Sequence, residues 1–490
     1  MEQHHTRSQA LAQHVRRFYD RKQAFRVFHG GSTSTRRMVY NAATSIDTSS
    51  FDHVLSVDKE SRLALVEPNV NMGKLVDATL PHGLIPAVVP EFASITVGGA
   101  FAGTAGESSS FRHGLFEDTV LRIEIILANG EIVNASDEER ADLFHGSASA
   151  FGTLGVLTML EVRLVPAKRY MQLALHPVTS STNAVKKIEE LTLEGSVEYL
   201  DGILYTPSSG VIMAGSLVDE VPSGHKAVRF SRRTDPWFYI SDLDGKAFSA
   251  LNHHFIPIKD YLFRYDRAAF WTAAWAFKYC YIQNWAFQRW LLDSIIKTPK
   301  MLHAFNKSGL ANQYIVQDIA IPFDHIPEYI NTIDKETGIW PLWLCPLKQI
   351  RSWPLRPTDP QVPDKLMNVG IWGPGSRDLV KFVEQNRHLE TRARDLHGIK
   401  CLYAQVYSSE DEFWQMYDRA SYEQLREKYD AHTLPAVYDK VGKNSAIEEI
   451  RRREGSKKEY YKGKAKDFWI VRGVYGAVCM LIEGGIQMKK

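Results

Sequence analysis

Apolar residues recur along this chain at two spacings, and the switches between them mark its elements. Leu11, Val15 and Phe18 or Tyr19 share one side of a helix over about 8–22, after which Phe25-Arg-Val-Phe28 reads as a short strand running into His29-Gly-Gly-Ser-Thr-Ser-Thr35. Apolar runs at Val54–Val57 and Leu63–Val66 end in Glu67-Pro68, and a helix from about Met72 to Leu80 stops at Gly83. The run Val120–Leu127, the turn Asn129-Gly130 and the returning Glu131–Val133 predict a hairpin. Leu143-Phe144 and Ala148–Phe151 lead to the tight turn Gly152-Thr-Leu-Gly155, followed by a strand over Met159–Val165 that Pro166 ends. One unit of mixed α and β character closes near 170.

From about 171 the texture shifts to strands and aromatic-rich helices. Ala269–Trp275 and Trp285–Trp290 carry the aromatic helices, Tyr314–Pro322, Ile339–Pro346 and Cys401–Tyr407 read as buried strands, and Asp411–Tyr429 reads as a helix with Phe413, Trp414, Tyr417 and Leu425. Aromatics at this density build cores first, and Trp343, Phe413 and Trp414 could also wall a pocket for a flat or greasy substrate. The last segment differs again. Arg451-Arg-Arg, Lys457-Lys458, Lys462, Lys464 and Lys466 make it basic, and Phe468–Ile482 is apolar except for Arg472. Those 15 residues fall short of the roughly 20 that a bilayer-spanning helix needs. Two readings stand: an interfacial helix beside a polybasic patch, or a packed helix behind a solvated linker.

Length and charge narrow the picture. A chain of 490 residues holds two or three domains at roughly 100–200 residues each. With 44% hydrophobic and 24% charged residues it has the composition of a soluble globular protein. A net charge of +2 removes the electrostatic expectation of a nucleic-acid partner and favours a small molecule. Cys280, Cys345, Cys401 and Cys479 lie far apart, so neither a zinc site nor a disulfide framework is expected, and reduced thiols fit a cytosolic setting. His253-His254 project apart on helix or strand and no acidic cluster completes them, so no metal is expected. Met1-Glu-Gln-His-His-Thr-Arg7 has no apolar core behind its charges, and secretion is not expected.

The stretch from Thr96 to Gly114 is the candidate for chemistry. Gly98, Gly99, Gly103 and Gly106 let backbone N–H groups approach an anion, and Thr96, Thr104 and Ser108 add hydroxyl donors, a composition that suits a diphosphate and hence a nucleotide cofactor. It also fits a Gly/Ser surface loop without a ligand, and it matches neither G-x-G-x-x-G nor the Walker pattern.

The neighbours resolve this. A loop at 29–35, the glycine stretch at 96–108, the hairpin at Asn129-Gly130 and Gly152-x-x-Gly155 together resemble the FAD domain of the vanillyl-alcohol-oxidase (PCMH-type) superfamily. Thr96-Val-Gly-Gly, Gly106-Glu-Ser-Ser-Ser, Gly114-Leu-Phe, Gly152-Thr-Leu-Gly, Val165-Pro-Ala-Lys168-Arg-Tyr, Val316-Gln-Asp318, Pro341-Leu-Trp-Leu-Cys-Pro346 and Glu412-Phe-Trp are similar to the 24-dehydrocholesterol reductase family of the Diminuto/Dwarf1 type, over roughly 20–445. That family's N-terminal membrane segment has no counterpart here, and residues after about 445 look like an addition.

The resemblance implies an α+β fold. An FAD-binding unit would span 1–170, a mixed α/β substrate (cap) unit 171–445 and a basic, apolar extension 446–490. It implies FAD contacts at Gly30, Gly31, Ser32, Thr33 and Ser34, at Thr96, Val97, Gly98, Gly99, Gly103, Thr104, Gly106, Glu107 and Ser108, and at Gly152, Gly155 and Val156, with the diphosphate on backbone N–H groups. Ser32 stands where the superfamily can carry a flavin-linking histidine, so the FAD is expected to be non-covalent. The implied reaction is reduction of a sterol side-chain C24–C25 double bond with NADPH as electron donor. An alkene without a carbonyl does not accept bare hydride, so a proton donor is needed, and Tyr403, Tyr407 and Asp318 are the candidates. A sterol or related lipid is the expected partner, in the cytoplasm or peripherally on the endoplasmic reticulum membrane. The same loops would serve an FAD-dependent oxidase or dehydrogenase of another lipid or terpenoid, and a non-catalytic sterol-binding relative is the reading from a different class.

Overall fold

The long strand Val156–Pro166 organises the first part of the chain. Val156, Thr158, Leu160, Val162 and Leu164 alternate as buried positions along it, the period-two pattern of a strand with one face on a core. It pairs antiparallel with Leu63–Val66 and with Val120–Ile126, and Leu84–Pro86 pairs with its end. Val54–Asp58 and Ile132–Ser136 complete a six-stranded antiparallel sheet. A short parallel pair, Arg26–Phe28 with Ser45–Asp47, stands apart from it. The computed structural model describes residues 1–30, 40–239, 253–283, 285–293, 296–348, 355, 362–459 and 463.

The first helix is longer than its apolar spacing predicts, running Glu2–Asp20. Its first turns bury polar residues instead. His4 meets Glu67 at 2.8 Å and Glu124 at 3.0 Å, and Ser8 donates to Glu124 at 3.1 Å. An apolar pattern cannot register such contacts.

The second sheet has eight strands. From edge to edge they are His253–Pro257, Tyr170–Val178, Ser209–Val218, Tyr199–Thr206, Leu342–Lys348, Lys365–Pro374, Tyr314–Pro322 and Ile399–Lys400, every neighbour antiparallel. Helices Ser181–Thr192, Ile326–Thr337 and Leu379–Asp395 cover one face, receiving Leu200, Leu204, Ile315, Ile319, Leu342, Leu344, Val369 and Ile371. The alternate positions, among them Asp201, Asp318, Trp343, Cys345, Asn368 and Trp372, face the other way. Both faces are covered, so these strands read as nearly continuous apolar runs and the polar exceptions stand out.

Two expectations for the region after 400 are corrected. Cys401–Tyr407 is not a strand: pairing stops at Lys400, and the chain turns with Ala404 N–H donating to the Cys401 carbonyl at 3.3 Å. The segment is buried all the same, which is what its apolar run reflected. The single helix over Asp411–Tyr429 is two, Glu410–Trp414 and Arg419–Lys428, because Asp418 caps a new start by accepting from Ser421 N–H at 2.9 Å. This region folds back on the first sheet. Tyr422 donates to Thr153 Oγ1 at 2.8 Å, Arg426 to the Thr153 carbonyl at 2.7 Å, and Phe25 N–H to the Thr433 carbonyl at 2.9 Å. Among the described residues no helix is long and apolar enough to cross a membrane; the apolar segment 468–482 lies outside them.

Candidate active site

A cleft of about 1050 Å³ brings the glycine stretch up to the polar positions of the eight-stranded sheet. Thr96, Gly98, Gly99, Gly103, Thr104, Gly106, Gly152 and Gly155 line one part of it; Asp318, Trp343, Cys345, Asn368, Trp372 and Tyr403 line another.

The glycine wall is built by close approach. Thr96 caps the short helix Val97–Ala102, its hydroxyl oxygen accepting from Gly99 N–H at 3.1 Å. Val97 and Gly98 donate to the carbonyls of Val70 and Pro68, both at 2.8 Å, and a Cβ on Gly98 would fall 2.6 Å from Pro68 Cβ. Gly98 is therefore a packing requirement first. These bonds correct one expectation: the N–H groups of Val97, Gly98 and Gly99 are already occupied by the protein and are not diphosphate donors in this arrangement. The N–H groups of Thr104 and Gly106 take part in none of the described hydrogen bonds and remain for an anion.

The other carried-over positions fall in three places. Gly152 and Gly155 border the cleft, whereas Val97 and Val156 are buried in the core behind it. Glu107 and Ser108 also sit behind the wall: the Glu107 carboxylate accepts from Ser108 at 2.8 Å and from Ser109, and burial pushes its pKa up. Gly30 is exposed with φ +66° and does not border the cleft, although its neighbour His29 does. Burial, with the Lys440 ammonium adding to it, pushes His29 down to about 4, so its imidazole is neutral at pH 7. Gly31, Ser32, Thr33 and Ser34 lie outside the described residues.

Asp318 anchors the opposite wall. Its Oδ1 accepts from Asn368 Nδ2 at 2.6 Å, and its Oδ2 from Trp372 Nε1 at 3.3 Å and from the Tyr403 hydroxyl. Burial raises the Asp318 carboxyl, opposed by Tyr403, Asn368, Trp372 and Lys400. Burial and the Asp318 charge hold the Tyr403 hydroxyl well above its ordinary value, so its proton stays on and is committed to Asp318. Gly370 sits between Asp318 and Trp343 in register, and a Cβ there would come 3.0 Å from Asp318 Oδ1 and 3.1 Å from Trp343 Cβ. Of the three acid candidates Tyr407 does not reach the cleft: it packs on Phe382, and its N–H donates to Glu390 at 3.0 Å. Phe413 and Trp414 pack with Tyr417, Tyr422 and Tyr438 in a separate core cluster, so Trp343 alone of the three aromatic candidates walls the cleft.

Three residues escaped the sequence reading. Asp201 is fully buried and accepts from Arg264 Nη2 at 2.7 Å, Tyr265 at 2.9 Å and Trp343 Nε1 at 3.0 Å. Arg264 lies between the rings of Tyr261 and Tyr265, 4.1 and 4.7 Å from their centroids, and donates to Ser108 Oγ at 3.3 Å. This pair ties the back of the glycine wall to the aromatic wall. Glu91 borders the cleft itself, 7% exposed, and its Oε1 has no hydrogen-bond partner among the described residues. A usable signal existed for both acids: each is a lone carboxylate inside an apolar run, Tyr199–Tyr205 and Leu84–Phe92.

Residues 5–136 match the family model of the FAD binding domain. The chain is 30% identical over 405 residues to Delta(24)-sterol reductase of Macaca fascicularis, and equally to that of Homo sapiens, in each case covering 80% of this chain and 76% of the relative. It is 31% identical over 447 residues to Delta(24)-sterol reductase of Pisum sativum, covering 84% of this chain and 78% of the relative.

Proposed function

The chain belongs to the Delta(24)-sterol reductase family, FAD-dependent oxidoreductases, and from that premise we propose that it reduces the side-chain C24–C25 double bond of a sterol with NADPH as electron donor. The observation that carries this reading is the meeting, in one cleft, of a glycine wall and a carboxyl set among indole rings. The glycine wall fits FAD: small residues let a flat, anionic molecule lie against the backbone, and the N–H groups of Thr104 and Gly106, in none of the described hydrogen bonds, would be available to its diphosphate. Residues 1–170 would hold the FAD non-covalently and residues 171–445 the sterol, with the segment 419–441 folded back beneath the flavin unit.

Bound FAD, once reduced, supplies the hydride. The protein supplies everything else. An isolated trisubstituted alkene becomes a hydride acceptor only as a proton adds to its less substituted carbon, and positive charge then builds on the other. The Asp318 oxygens, oriented by Asn368, Trp372 and Tyr403, compensate that charge, and the rings of Trp343, Trp372 and Phe270 offer π faces to it. The aromatic lining also excludes water, which would otherwise capture the cation.

The test uses purified protein without oxygen. Addition of NADPH should bleach the flavin spectrum, and desmosterol should then restore it with formation of cholesterol, a gain of two hydrogens read by mass. A yellow protein that ignores both and consumes oxygen instead would replace this reading with a lipid oxidase.

A further inference from the structure

The Asp318–Tyr403 pair accounts for charge but offers no free proton, since Asp318 receives three hydrogen bonds and the Tyr403 proton is spent on one of them. We propose that Glu91 is the proton donor of the sterol half-reaction: the residue borders the same cleft, is more than nine-tenths buried, and its Oε1 has no hydrogen-bond partner among the described residues. This rests on the reductase reading above.

The placement of Glu91 is held by its neighbours. The apolar run from Leu84 ends at Pro90, and Phe92 then edges onto Phe270 at 5.8 Å and onto Trp372 at 5.9 Å, the same indole that donates to Asp318. Glu91 is thus pinned beside the Asp318 wall without being bonded to it. Burial pushes its carboxyl well above the ordinary range. Its own backbone N–H and the Arg264 cation pull the other way, the Glu107 and Asp318 carboxyls push with burial, and the Tyr403 hydroxyl and Cys345 thiol also face it. Two carboxyl groups in one cleft therefore differ in environment: one surrounded by donors, the other in an apolar position that favours the neutral acid. That division separates the charge-compensating role from the acid.

The step balances. The O–H bond of Glu91 breaks as a C–H bond forms at the less substituted alkene carbon. The hydride that forms the second C–H bond would come from the FAD held along the glycine wall, and NADPH would resupply those electrons. Glu91, left as a carboxylate, regains its proton from water entering the emptied cleft.

The holoenzyme variant Glu91→Gln keeps the shape and removes the acid. It should hold FAD and be bleached by NADPH at close to the wild-type rate, while reoxidation by desmosterol slows by roughly 100-fold or more. Infrared difference spectra give an independent reading: the carbonyl band of a buried protonated carboxylic acid, shifted in heavy water, is present in the wild type and absent in the variant. Reoxidation at the wild-type rate, or no such band in the wild type, overturns the proposal. Should glutamine prevent folding, Glu91→Asp replaces it, and the band shifted in frequency with part of the rate retained supports the assignment, whereas an unshifted band overturns it. Failure of the wild type to reduce desmosterol at all would sink the reductase reading, and the infrared band would still decide whether Glu91 is the protonated group.

Discussion

The two walls of the cleft are made by opposite means. The glycine wall is backbone: along Thr96–Gly106 the N–H groups of Val97 and Gly98 are spent on Val70 and Pro68, while those of Thr104 and Gly106 take part in none of the described hydrogen bonds. The facing wall is side chain: Asp318, Asn368, Trp343 and Trp372 come from alternate positions of neighbouring strands and are braced from behind by Asp201 and Arg264. A wall of glycines tolerates little change in size, because an added Cβ would come within 2.6–2.8 Å of a packed neighbour: Pro68 Cβ at Gly98, Thr96 Oγ1 at Gly99, the Gly99 carbonyl at Gly103 and Leu115 Cδ2 at Gly106. A wall of side chains tolerates changes in size but not the loss of a charge partner, because the stranded partner stays buried.

The largest effect expected from this contrast is on stability. Arg264→Met removes the cation that pairs with the fully buried Asp201, and a loss of about 3–5 kcal/mol in denaturant unfolding is expected. A loss below about 1 kcal/mol, within reach of an exposed pair, would break the claim that this wall depends on its buried partner. Next is Gly99→Asp. Gly99 faces the cleft, its Cβ would fall 2.8 Å from Thr96 Oγ1, and a carboxylate there would oppose an anionic cofactor. FAD affinity should drop on the order of 100-fold, or about 2.7 kcal/mol, by titration of flavin fluorescence, and a normal flavin spectrum would remove this loop from the cofactor site.

Asp318→Asn sharpens the contrast from the other side. The amide keeps the size and loses the charge, so flavin content and NADPH bleaching should persist while sterol-dependent reoxidation slows roughly tenfold, about 1.4 kcal/mol; equal losses in both half-reactions would mean that Asp318 serves the cofactor and not the substrate.

The smallest effect concerns the clamp of the first helix on the six-stranded sheet. Burial by itself would lower His4, but Glu124 and Glu67 outweigh it and raise it to about 9. Burial would raise Glu67, but His4, Arg7 and His53 bring it down to about 2. A histidine raised by folding contributes stability that is complete below its ordinary 6.5 and is lost as the pH rises through about 9. A carboxylate lowered by folding contributes stability that is complete above its ordinary 4.5 and is lost as the pH falls through about 2. The clamp is therefore at full strength between about 4.5 and 6.5. His4→Ala should cost about 1 kcal/mol at pH 6 and flatten the alkaline arm of a melting-temperature profile, with no change in flavin binding. A profile with the same alkaline slope in both proteins would assign that arm to another group.

Local pattern carried far in this chain. Leu63–Val66 and Tyr314–Pro322 begin and end where their apolar runs do, and Met72–Thr79 lies within the predicted helix, because a strand or helix that buries a face must repeat its apolar residues at its own spacing. The order of glycine turns was enough to single out the flavin unit, since a backbone wall is written in consecutive residues. The same reasoning misread Cys401–Tyr407 as a strand, because burial without pairing leaves the same apolar run, and it offered Tyr407 as an acid at a cleft that it does not reach, while Phe413 and Trp414 follow the core packing expected of aromatics first.

What the sequence by itself determined is therefore everything encoded within a few residues: the α+β character, the glycine turns and the family. What only the tertiary structure decided is which distant side chains meet. Asp201, Trp343, Asn368 and Asp318 converge because the strand order places 199–206 beside 342–348, that strand beside 365–374, and 314–322 on its far side. Glu91 joins them because Phe92 packs on Trp372. Strand order and packing across a hundred or more residues leave no periodic trace in the chain, so the reacting groups became visible only once the sheet had set their register.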